Sequence, residues 1–160
     1  MINSKQMKNY LGFILLLLTV FSCGTKANLS MDAAVAATEK TTSKINANKN
    51  LKETLSEGAL TDKEGFNDIG TFKYYVFFDE KSHELSKIKN VEIINKTISE
   101  TYYFSDNKLI SITSETANTP IKKIYIQNKR VLSKEHVNAE DEKLLLDKAK
   151  RFQKAFIKAH

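Results

Sequence analysis

The pattern of hydrophobic and polar residues changes three times along this 160-residue chain. An apolar run from Tyr10 to Phe21 is followed by a polar stretch rich in Ala, Thr, Lys and Asn over residues 24–65. From Phe72 onward, short aromatic and β-branched runs alternate with polar turns, and the segment after Asn138 carries apolar residues at helical spacing. These changes predict a leader, a polar tether, a β-rich body and a C-terminal helix.

The β-rich body is predicted from pairs of apolar runs that flank short polar turns. Three β-hairpins follow from these pairs, namely 76–78 with 85–88, 102–104 with 109–112, and 124–126 with 131–133. Asn107 and Asn128 lie in two of the turns, where a residue that tolerates positive φ is favoured. Residues 91–94 and 97–101 add further strand. We therefore expect an antiparallel meander of about five to seven strands.

The C-terminal segment has the clearest pattern of any single element. Asn138 is placed to cap a helix, acidic residues fill the first turn, and lysines load the far end. Leu145, Ala149, Phe152 and Phe156 form one apolar stripe. The predicted fold class is α+β, with this helix packed on one face of the meander in a domain over 66–160. Residues 23–65 are predicted to be a polar tether with one or two short helices.

Aromatic side chains are predicted on both faces of the sheet, although the C-terminal helix covers only one of them. Alternation along the first strand places Phe72, Tyr74, Val76 and Phe78 on one face. The other face then carries Tyr75, Phe77, Tyr103 and Tyr125. This second face is either covered by the segment before residue 66 or open as a binding platform. These four residues are the candidate partner-binding site.

The N-terminus has the layout of a targeting signal. Lys5 and Lys8 precede the apolar run, and no acidic residue accompanies them. The run is about a dozen residues long, whereas a membrane-spanning helix needs about 20. It is therefore predicted to be the hydrophobic region of a secretory signal.

The end of this signal resembles the lipobox of bacterial lipoprotein precursors. The segment 20–24 reads Val-Phe-Ser-Cys-Gly and contains the only cysteine of the chain, Cys23. The resemblance implies a signal peptide over 1–22, cleavage before Cys23 and attachment of acyl chains to its thiol. Val20 and Phe21 depart from the commonest lipobox residues. A lipid-anchored protein is expected, facing the periplasm from the outer rather than the inner membrane, with the cell surface as the alternative.

Composition and motifs exclude several functional classes. The net charge is +6, but nearly all basic residues are lysine, with arginine only at 130 and 151, which argues against bidentate phosphate recognition. We expect no nucleic-acid partner, because the predicted compartment lacks nucleic acid. The chain has no Gly-x-Ser-x-Gly, HExxH or CxxC motif and no glycine-rich phosphate loop. The three histidines, His83, His136 and His160, are not paired at helical spacing. We therefore predict no metal site, no cofactor and no enzymatic activity.

These observations lead to one functional hypothesis and one alternative. The hypothesis is a lipid-anchored, non-enzymatic envelope protein that binds a protein or a wall polymer through a sheet face or edge. The alternative is an inhibitor or immunity-type protein that blocks an incoming enzyme. An inhibitor of cationic wall hydrolases is expected to be acidic, whereas this chain stays positively charged after removal of its leader lysines.

Overall fold

A computed structural model describes residues 30–160 and contains two helices and one antiparallel sheet. The elements in chain order are α1 (Met31–Ala47), β1 (Lys52–Thr61), β2 (Asp68–Phe78), β3 (Leu85–Ile93), β4 (Thr97–Ser105), β5 (Lys108–Thr116), β6 (Lys122–Gln127), β7 (Arg130–Glu135) and α2 (Ala139–Ala159). The seven strands lie side by side in their order along the chain. The predicted α+β fold, an antiparallel meander with a long C-terminal helix, is confirmed.

The three predicted hairpins are present with their turns in the predicted places. They are β2 with β3, β4 with β5, and β6 with β7. Asn107 and Asn128 have φ angles of 55° and 51°, which is the left-handed conformation expected of them. Residues 91–94 and 97–101 contribute to β3 and β4, which form a fourth hairpin.

Helix α2 packs on one face of the sheet and closes the main core. Asn138 caps it by accepting a hydrogen bond from the Asp141 amide at 2.8 Å. Leu145, Ala149 and Phe156 of the predicted stripe are buried against the sheet. The strands supply the other side of this core through buried apolar residues, which include Val76, Phe78, Leu85, Ile88, Tyr102, Phe104, Ile112 and Ile124.

The prediction for residues 23–65 was a tether with one or two short helices; in the part that the structure describes a helix is present, but a separate tether is wrong. Residues 31–47 form one helix of 17 residues, and residues 52–61 form the first strand of the sheet. Ser30 caps the helix as its sequence suggests, since its hydroxyl accepts a hydrogen bond from the Ala33 amide at 3.2 Å. The helix continues through the Thr- and Asn-rich stretch because side-chain contacts attach it to the sheet.

Strand β1 was not predicted because its sequence lacks the signal of a buried strand. Its side chains are exposed on both faces, apart from Leu60, so apolar and polar residues do not alternate. It forms through the backbone ladder with β2, which runs from Lys52 opposite Phe78 to Thr61 opposite Asp68. Within residues 30–160, neither helix is apolar over a stretch that would cross a membrane.

Candidate functional site

The two faces of the sheet are covered to different extents. We call the face under α2 the helix-2 face and the opposite face the helix-1 face. Helix α1 contacts β5 and β7, and near its end Asn46 reaches Tyr103 of β4 and Lys87 of β3. The register places Phe77, Tyr103 and Tyr125 on one row of the helix-1 face, as predicted from alternation.

Helix α1 is attached at its middle by a carboxylate. Oε1 of Glu39 accepts hydrogen bonds from the Tyr125 hydroxyl at 2.6 Å and from the Lys123 ammonium at 2.9 Å. These two hydrogen bonds hold the pKa of Glu39 below its ordinary value, and the bond from Tyr125 has the larger effect. Burial raises the pKa of Tyr125 to about 12, and the hydrogen bond to Glu39 makes a smaller contribution in the same direction. Tyr125 therefore stays a neutral donor at physiological pH.

The end of α1 is attached through an amide. The Asn46 amide nitrogen donates to the Tyr103 hydroxyl at 3.0 Å, and its oxygen accepts from the Lys87 ammonium at 3.2 Å. Nearer the start of the helix, Ala34 is 4% exposed. Helix α1 thus crosses from the β7 side toward β3 and ends beside Tyr103.

The four aromatic residues predicted to bind a partner fall into two pairs. Tyr125 is 2% exposed and Tyr103 is half-buried, and both hydroxyls bond to α1. Tyr75 and Phe77 are also half-buried and lie on β2, one strand beyond Lys87, to which Asn46 near the end of α1 is hydrogen-bonded. The segment before residue 66 therefore covers Tyr103 and Tyr125. An open binding platform at Tyr75 and Phe77 stays a prediction.

The other half of the helix-1 face carries two short rows of side chains across β1, β2 and β3. One row is Glu53, Phe77 and Lys87, and the next is Leu55, Tyr75 and Lys89. We call these six residues the open patch. The rings of Tyr75 and Phe77 are 6.5 Å apart at 17° to each other, and Leu55 beside them is 49% exposed. The patch therefore combines a nearly parallel aromatic pair with two ammonium groups.

The charge at one edge of the open patch is incompletely balanced. The Lys87 ammonium lies 4.1 Å from the centre of the Phe77 ring, which attracts it through a cation–π interaction. Burial and the neighbouring charge of Lys89 lower the pKa of Lys87. The ion pairs found among residues 30–160 involve other lysines, including Lys73 with Glu57. An anion at this edge would reduce the repulsion between Lys87 and Lys89.

A second polar cluster lies on the helix-2 face, enclosed by α2. The Lys148 ammonium is 2.8 Å from Glu100 Oε1 and 3.1 Å from Glu92 Oε1. Glu100 is 4% exposed and also accepts hydrogen bonds from Tyr102 at 2.9 Å and Asn90 at 3.3 Å. Burial would lower the pKa of Lys148, but its bond to Glu100 and the two nearby carboxylates raise it overall. The cluster joins α2 to β3 and β4.

Two of the three histidines, His83 and His160, lie near each other at the end of α2. The His160 ring stacks on Phe156 at 4.4 Å and meets Phe78 edge-on at 4.6 Å, while His83 lies 6.1 Å from it. No group of three or more His, Cys, Asp or Glu within residues 30–160 is arranged to hold a metal ion. Cys23 and the predicted signal peptide lie outside the described residues. Comparisons with protein-family models, curated proteins and solved structures found no match to this chain.

Several residues that shape this site were not predicted as site residues. Lys87 and Lys89 lie opposite Phe77 and Tyr75, in a register that the predicted pairing of 76–78 with 85–88 did not specify. Glu39 and Asn46 gave no signal, since their partners lie 86 and 57 residues away in the sequence. The Lys148 cluster also depends on the register between α2 and the sheet, which spacing within the helix does not define.

Proposed function

We propose that this chain is a lipid-anchored bacterial envelope protein that binds another envelope macromolecule through the open patch and catalyses no reaction. The observation that carries the proposal is the division of the helix-1 face. Helix α1 hydrogen-bonds Tyr103 and Tyr125, while Tyr75 and Phe77 of the same sheet are partly exposed and are not among its hydrogen-bonded partners within residues 30–160. Aromatic side chains with accessible edges are common at recognition surfaces, where they bury much area at low entropic cost.

The anchor part of the proposal is supported by the lipobox-like segment around Cys23. A single cysteine preceded by a basic, apolar leader fits attachment of acyl chains, which bind membranes through about 0.8 kcal/mol per buried CH₂. The test is mass spectrometry of the protein isolated from bacterial membranes. We expect an N-terminal Cys23 carrying acyl chains, and Cys23→Ala should leave the leader uncleaved. An unmodified thiol at position 23 would contradict the anchor.

The binding part is tested by cross-linking in intact envelopes followed by purification of the chain. The double variant Tyr75→Ala with Phe77→Ala should lose the cross-linked partner, because it removes both accessible rings. Its matched control is Tyr103→Phe with Tyr125→Phe, which alters the two tyrosines under α1 and should keep the partner. Thermal unfolding of each variant separates loss of binding from loss of fold. Equal capture by the folded Tyr75/Phe77 variant would contradict the proposal.

A further inference from the structure

We infer that the ligand of the open patch is an acidic polysaccharide, with a sugar ring against Tyr75 and Phe77 and a carboxylate between Lys87 and Lys89. This inference rests on the proposed function and names the chemistry of its partner. It depends on three properties of the patch, which are its charge, its ring geometry and its size.

The charge of the patch favours a carboxylate. Lys87 and Lys89 project from the same face of β3, two residues apart, beside the two rings. Lys89 is exposed, and the Lys87 ammonium is held by Asn46 and by the Phe77 ring instead of by an anion. Glu53 contributes one opposing charge across the patch, beside Phe77. Charge-assisted hydrogen bonds from two ammonium groups to one carboxylate are about twice as strong as neutral ones.

The ring geometry favours a sugar beside that carboxylate. Tyr75 and Phe77 lie two residues apart on one face of β2, and their partly exposed rings are nearly parallel with centres 6.5 Å apart. The positively polarised C–H groups of a sugar ring pack well on the negative face of such rings. The Tyr75 hydroxyl and the Glu53 carboxylate add a donor and an acceptor for sugar hydroxyl groups. A uronic acid presents the ring and the carboxylate in one residue.

The size of the patch favours an oligosaccharide over a folded protein. It spans three strands and two rows of side chains, roughly 10 Å by 7 Å at ordinary sheet spacing. A stable protein interface buries about 800 Å² on each partner. The next row on the same face is Glu57, Lys73 and Val91, where Lys73 and Glu57 already pair at 3.7 Å. The apolar area therefore matches one or two sugar rings.

Calorimetric titration of the full chain in detergent tests this inference. The probe is trigalacturonic acid, and the comparison ligands are the neutral galactose trisaccharide, a short glutamate peptide and vesicles of phosphatidylglycerol with phosphatidylcholine. We expect trigalacturonic acid to bind most tightly and to weaken as salt screens its charge. Replacing Lys87 and Lys89 by Gln should weaken it about tenfold or more, as expected for loss of charged hydrogen bonds.

Two further variants keep the test interpretable. Lys89→Gln alone must also weaken binding, since Lys89 is exposed and its loss does not disturb α1. Lys143→Gln with Lys154→Gln removes the same charge from exposed positions of α2, on the opposite side of the sheet, and should leave the affinity unchanged.

The remaining outcomes overturn the inference in distinct ways. If the neutral trisaccharide binds with the same affinity as trigalacturonic acid, the lysines have no role in recognition. If the glutamate peptide binds more tightly, the patch belongs to an acidic polypeptide. Vesicle binding that depends on Lys87 and Lys89 assigns it to a lipid surface. No binding of any probe, with envelope capture still dependent on Tyr75 and Phe77, rejects the polysaccharide but keeps the proposed function. Saccharide binding without such capture would keep the saccharide as a ligand and reject the proposed function.

Discussion

The two helices cover the two faces of one sheet by different physical means. Helix α2 presents an apolar stripe to a continuous core, in which Leu145, Ala149 and Phe156 are buried. Helix α1 buries Ala34 alone completely and is attached by hydrogen bonds that Glu39 accepts from Tyr125 and Lys123 and that Asn46 donates to Tyr103. We therefore expect α2 to unfold together with the sheet and α1 to be released more easily. The face under α1 is also the one that retains an accessible patch.

Truncation of the apolar stripe should have the largest effect on stability. Phe156 is 6% exposed and meets the rings of Phe78 and His160. We expect Phe156→Ala to lower the free energy of unfolding by about 3–5 kcal/mol, because it leaves a cavity between α2 and the sheet. Chemical denaturation followed by circular dichroism measures the change. The control is Ile157→Ala, one residue further along at 63% exposure, which should cost less than about 1 kcal/mol.

Equal losses of unfolding free energy in Phe156→Ala and Ile157→Ala would contradict the idea that α2 is held by its apolar stripe. They would mean that α2 is attached by its solvent-exposed side as much as by its stripe. A loss at Phe156 confined to the last turn of α2, with the rest of the sheet unchanged, would show that α2 is not part of the cooperative unit.

The buried ion cluster should give the next largest effect. Lys148→Met leaves the enclosed carboxylates of Glu100 and Glu92 without their shared cation. Removing one partner of a buried pair costs about 3 kcal/mol or more, since a charge then stays buried and unpaired. Denaturation of the variant measures this loss. Lys150→Met is the control, because its ion pair with Asp147 is largely exposed.

A second substitution distinguishes charge from packing in this cluster. Glu100→Gln added to Lys148→Met removes the more buried of the two unpaired charges and keeps an oxygen for the Tyr102 hydroxyl. We expect this double variant to recover part of the lost stability. No recovery would mean that Lys148 acts through its aliphatic chain and not through its charge.

The sequence was sufficient for the parts of the molecule that depend on local patterns. Alternation predicts β2 and the later strands, and helical spacing predicts α2 with its cap at Asn138. The segment before residue 66 was wrongly read as a tether, because β1 has exposed side chains and α1 is attached by polar groups. Their stability comes from backbone pairing with β2 and from contacts with Tyr103, Lys123 and Tyr125, which are distant in sequence.

The same distinction applies to the candidate site. Alternation correctly places Tyr75, Phe77, Tyr103 and Tyr125 on one face. It does not reveal where α1 ends, because that depends on Asn46 meeting Tyr103 across 57 residues of sequence. The difference between covered and accessible aromatic residues is therefore a tertiary property.

The smallest expected effect comes from releasing α1. Glu39→Gln replaces the carboxylate that accepts from Tyr125 and Lys123. Because the Glu39 side chain is 50% exposed, we expect a loss of only about 1 kcal/mol or less, confined to α1. Hydrogen exchange should show faster exchange of the α1 amides with little change in β2 to β6. Glu115→Gln, an exposed glutamate of β5, is the control.

The difference in α1 amide exchange between the wild type and Glu39→Gln should depend on pH if the charge of Glu39 causes it. The folded-state pKa of Glu39 is lowered, so its contribution is complete above the ordinary glutamate value of 4.5 and is lost as the pH falls through the folded value. Glutamine at position 39 carries no charge at any pH. The protection of α1 in the wild type should therefore approach that of the variant in acid, after correction for intrinsic exchange rates. If the two proteins still differ in α1 exchange below the folded pKa, Glu39 holds α1 by its shape or by a neutral hydrogen bond. In that case α1 should also keep Tyr103 and Tyr125 covered in acid.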